Sequence, residues 1–60
     1  MVTISQINTK RVLLYELEMR HRNADSDQSR ETYMNFIIRC REEIKDLEIE
    51  YKKQLTGDNS

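Results

Sequence analysis

The chain has 60 residues, a net charge of −1, 35% charged side chains, no proline, and single copies of glycine, cysteine and histidine. So short a chain buries only about 60% of the surface its unfolded form exposes, so a lone monomer is marginal and needs reinforcement. One cysteine (Cys40) excludes an internal disulfide, and Cys40 with His21 falls short of a structural zinc set, which leaves oligomerisation.

The first helix is expected from about residue 5 to residue 22. Its start lies between Thr3, which with Gln6 fits a capping box, and the later candidate cap Thr9. Val12, Leu13, Leu14, Tyr15, Leu17 and Met19 make a broad apolar arc, interrupted by Arg11 and Glu18 one heptad apart. A broad arc suits a helix touched by two neighbours, as in a bundle. Leu14 and Leu17 are the residues of this helix assigned to the core seam.

A polar break follows at Asn23 to Asp27, rich in turn and cap residues but lacking Gly or Pro. Arg20, His21 and Arg22 before it complement the negative end of the first helix; Asp25, Asp27 and Glu31 after it complement the positive start of the second. Asp25 with Gln28, or Ser26 alone, fits the second cap.

The second helix is expected from about 27 to 55 and carries the most regular pattern in the chain. Tyr33, Ile37, Cys40, Ile44, Leu47 and Tyr51 recur at four- and three-residue spacing, the seam of a coiled-coil helix. At ~1.5 Å per residue this helix is ~43 Å long against ~25 Å for the first. Folding the short arm back is therefore expected to cover it only to about Lys45. Leu47, Tyr51 and Leu55 then project as an open apolar end, which marks an interface. Met34, Phe36 and Ile49, with Ile38, lie off the narrow seam; Met34, Phe36, Ile49 and Leu55 form the candidate surface for a protein partner. Residues 57–60, beginning at Gly57, read as a helix stop and frayed tail.

Catalytic chemistry finds little footing. Cys40 on the seam reads as a buried, inert thiol, and His21 as a surface histidine that complements the helix end. The carboxylates Glu42, Glu43, Asp46, Glu48 and Glu50 are interleaved with Arg39, Arg41, Lys45, Lys52 and Lys53, the pattern of a solvated helix face. No phosphate loop or nucleophile elbow is present. The expectation is a non-enzyme with no catalytic residues, cofactor or metal. With no apolar run near ~20 residues and no signal-peptide pattern, no membrane span is expected and the cytoplasm is the expected location.

The segment from Arg41 to Tyr51 is similar in shape to the signature of a family of aspartyl-phosphate phosphatases that are also short helical hairpins. Where that family has Ser-Gln-Glu-Leu-Asp this chain has Arg41 to Lys45, and Lys45 occupies the functional acid position, so the activity does not carry over. Two helices joined by a short turn also resemble the Rop family of plasmid copy-control bundles, which implies binding to paired RNA loops. In that reading Lys10, Arg11, Arg20 and Arg22 are the candidate phosphate contacts. The alternating segment 2–7, read as a strand before two helices, resembles the ribbon-helix-helix repressors and implies DNA binding.

The reading that best joins these features is all-α: an antiparallel two-helix hairpin that forms a homodimeric four-helix bundle. Such a protein acts as a small regulatory or adaptor protein and binds a protein partner through exposed apolar surface. A dimeric nucleic-acid-binding regulator is the alternative.

Overall fold

The structure, a computed structural model, describes residues 1–56, and the expected helix stop and tail at 57–60 lie outside them. Two helices run antiparallel, α1 over Ile4–Arg22 and α2 over Asp27–Thr56. Neither is long and apolar enough to cross a membrane. The radius of gyration is 14.5 Å, against about 10 Å for a compact domain of this length. The molecule is a rod of 49 × 17 × 13 Å, close to the ~45 Å length of α2 itself.

Local chemistry sets the helix ends. The backbone N–H of Gln6 donates to Thr3 Oγ1 (3.2 Å), and the N–H of Thr3 donates to Gln6 Oε1 (2.9 Å), completing the capping box. α1 closes on Asn23, whose N–H donates to the Met19 carbonyl at 3.1 Å, with Arg20, His21 and Arg22 in the last turn. Ser26 caps α2 by accepting from the Ser29 N–H at 3.1 Å, and Asp27 lies in the first turn, where the helix dipole favours negative charge. Segment 2–7 is not a strand. It turns helical at Ile4, and the described residues contain no strand, so the feature a ribbon-helix-helix plan requires is missing.

In the hairpin the heptad-spaced side of α2 is the side turned toward α1. Ile37, Cys40 and Ile44 are buried and Tyr33, Leu47 and Tyr51 half-buried, whereas every other described α2 residue except Glu48 is exposed. On α1 the facing stripe is Ile7, Lys10, Leu14, Leu17 and His21, again at three- and four-residue spacing. Ile7, only 2% exposed, is its best-buried member, and it was not expected in the core. His21 is half-buried on this stripe. Lys10 reaches out of the seam to Glu43, while the Cys40 thiol donates to the Lys10 carbonyl at 3.5 Å. The small Cys40 side chain thus packs directly against the α1 backbone.

The expected open end is closed. Val2 N–H donates to Gln54 Oε1 and Gln54 Nε2 donates to the Val2 carbonyl, both at 2.7 Å, so the first residues lie beside the last turns of α2. The expectation assumed a turn with no axial length. In the structure Glu18 meets Arg41, and Arg22 shares a concavity with Arg30 and Met34. The turn and the first ~10 Å of α2 therefore lie beyond α1, which shifts α1 along its partner. Leu47 and Tyr51 are covered, and Leu55 alone stays well exposed, at 69%.

The broad arc of α1 has only one neighbour, α2. Val12, Leu13, Tyr15 and Met19 remain exposed, because a single partner helix covers only the stripe centred on Ile7 and Leu14. Four buried apolar side chains form the entire core of the described residues.

Candidate protein-binding surfaces

Two long sides flank the seam of the hairpin, and they differ in charge. On the first, Ile4, Ile7, Ile49 and Leu55 line a groove of about 440 Å³, and a separate concavity lined by Met34 lies nearer the turn. Two ion pairs cross this side, Arg11 with Glu48 and Arg41 with Glu18, the latter at 2.9 Å. The partners on each helix are one heptad apart and of reversed sign. A slip of one heptad in one direction would place Arg11 beside Arg41; in the other it would place Glu18 beside Glu48. The pairs therefore select one antiparallel register, as charges flanking a coiled-coil seam do. This explains the interruption of the apolar arc at positions 11 and 18.

The second side carries Leu13, Leu17, Phe36 and Cys40, bordered by Arg39 and Glu43. Lys10 Nζ bonds Glu43 at 2.7 Å along this edge. The hydrogen bond and the adjacent ammonium hold the Glu43 carboxyl below its ordinary range, and the same bond with the negative charge of Glu43 raises the Lys10 ammonium. Leu47, also assigned to the seam, faces a shallow apolar recess further along with Gln6, Thr9 and Lys10.

The four residues proposed for a partner surface do not form one patch. Met34, Ile49 and Leu55 belong to the first side and Phe36 to the second. All four are exposed, Phe36 at 48% and Ile49 at 45%. Linear spacing could not separate them, because residues off the seam fall on either flank. The heptad angles relative to Ile37 do so: Met34 and Ile49 rotate one way from it and Phe36 the other.

The candidate phosphate contacts are also dispersed. Lys10 is engaged by Glu43 on the second side, and Arg11 and Arg22 lie on the first. Arg20 borders a third concavity near the turn with Glu16 and Asp25. No single stripe brings the four onto one nucleic-acid backbone. Cys40 is a free, buried thiol. Among the described residues no His, Cys, Asp or Glu cluster of three or more is placed to hold a metal.

Comparisons with protein-family models, with curated proteins and with solved structures returned no match.

Proposed function

We propose that this chain is a small non-enzymatic regulatory or adaptor protein, a homodimer whose hairpins form a four-helix bundle, which binds a protein partner through exposed apolar helix surface. The observation that carries this reading is an imbalance. Among the described residues four apolar side chains are buried, while Leu13, Phe36, Ile38, Ile49 and Leu55 are among the large apolar side chains left open. Helices with apolar surface on more than one side are completed by further helices.

The second side suits self-association. A two-fold axis sets a surface against itself, so a surface carrying both signs can satisfy its own charges. Leu13, Leu17 and Phe36 supply its apolar part, and Arg39 and Glu43 its opposite charges. The first side is then left for the partner.

Sedimentation velocity over a concentration series tests the assembly. The expected species has about twice the 7.3 kDa chain mass, and Phe36→Asp shifts the mass toward one chain. A wild-type mass that stays at one chain at every concentration would overturn the dimer.

A further inference from the structure

We infer that the groove on the first side receives an acidic amphipathic helix, an assignment that rests on the partner-binding reading above and gives that partner its chemical class.

The argument starts from charge. The chain is net −1, yet the lining of the two concavities on this side is basic. In the half near Leu55, Arg11, Lys45 and Lys52 stand against Glu48. In the half near the turn, Arg22, Arg30 and Arg41 stand against Glu18, with Asp27 bound to Arg30 from the adjoining helix turn at 2.9 Å. The cross-helix pairs use Arg11 and Arg41. Arg22, Lys45 and Lys52 make no ion pair among the described residues, so each of the two concavities keeps a positive excess.

The excess of one sign has two consequences. It disfavours a second copy here, because two-fold pairing would bring basic groove onto basic groove, and like charges across an interface are costly. It also favours an occupant with carboxylates along its edges, which would meet the arginines and lysines while its apolar stripe enters between the helices.

The apolar floor decides the class of macromolecule. Ile4, Ile7 and Ile49 alternate with the basic residues, and Leu55 extends the line. A phosphate backbone has nothing to bury against them, whereas the leucine seam of an amphipathic helix does. The two concavities lie along α1, itself ~28 Å long, so a helix of about 20 residues laid beside α1 would reach both. On α2, Met34, Ile38, Arg41, Lys45, Ile49 and Lys52 follow one another at three- and four-residue spacing, so one side of one helix offers both kinds of contact.

The test uses the full-length protein and three synthetic helical peptides of about 20 residues. All share one leucine seam and differ only at the flanking positions, which are Glu, Gln or Lys. Fluorescence anisotropy is expected to rank them Glu, then Gln, then Lys, with the Glu peptide at least ~10-fold tighter than the Lys peptide at low salt and the gap shrinking as salt screens it. The double variant K45E/K52E, both sites exposed, should invert the ranking while sedimentation mass and helicity stay unchanged. Three peptides bound equally would overturn the acidic class and leave partner binding at this groove standing. No binding by any would overturn both. Tighter binding of phosphatidylglycerol vesicles or duplex RNA than of the Glu peptide, abolished by K45E/K52E, would reassign the groove and overturn the inference. The dimer is read separately, by sedimentation.

Discussion

Reversing Glu48 to Arg probes the register lock. The change removes the Arg11–Glu48 pair and sets two guanidinium groups against each other. Both side chains are about half exposed, so the pair contributes in the range of exposed ion pairs, about 0.2–1 kcal/mol, and the new repulsion adds a similar amount. The sum is ~0.4–2 kcal/mol at low ionic strength. A 60-residue chain holds roughly 3–9 kcal/mol in all, so this is a large share, lowering Tm by about 4–8 °C per kcal/mol. Arg11→Glu alone should cost the same, because it sets a second carboxylate against that of Glu48. The R11E/E48R double variant restores attraction with polarity reversed and should return to within ~0.5 kcal/mol of wild type. Urea denaturation followed by circular dichroism closes this cycle, and 1 M salt, where the screening length falls to ~3 Å, should shrink the coupling. Strictly additive single and double variants would refute the lock.

Two further outcomes follow from the same geometry. Ile7→Ala should cost about 2–5 kcal/mol and Ile4→Ala well under 1, because the first side chain is 2% exposed and the second 51%; equal losses in thermal melts would mean that α1 docks through a different face. The Lys10–Glu43 pair makes stability depend on pH at both extremes. The depressed Glu43 contributes fully above its unfolded value near 4.5 and loses that contribution as pH falls through its folded value. The raised Lys10 contributes fully below its unfolded value near 10.5 and loses that as pH rises through its folded value. Glu43→Gln should flatten both limbs of the stability profile; limbs parallel to wild type would contradict the pairing.

The elements were legible where their signal is local. Thr3 and Gln6 write the first cap in four residues, Ser26 marks the second, and the seam from Tyr33 to Tyr51 repeats often enough to show its buried face. What escaped the sequence was relational. Ile7 was hidden because Lys10 occupies the next position of its stripe, and a lysine there reads as surface until its stem is seen to run outward to Glu43. The overlap of the helices depends on the axial length of a four-residue turn, which no local pattern encodes. That is why α2 was expected to be bare at Leu47 and Tyr51. The division of Met34, Ile49 and Leu55 from Phe36 needed the position of α1 to define two sides.

The pairs that join the helices also form a graded series in chain separation. Arg41 and Glu18 are 23 residues apart, Lys10 and Glu43 33, Arg11 and Glu48 37, and Val2 and Gln54 52. Closing a loop costs entropy that grows only as the logarithm of its length, about 0.6 kcal/mol per doubling. Each fastening, once made, leaves the next only a short stretch of free chain to close. The hairpin thus has a zipper's economy: its turn is the natural starting point, and the bonds between Val2 and Gln54 are the last to form and the first to open.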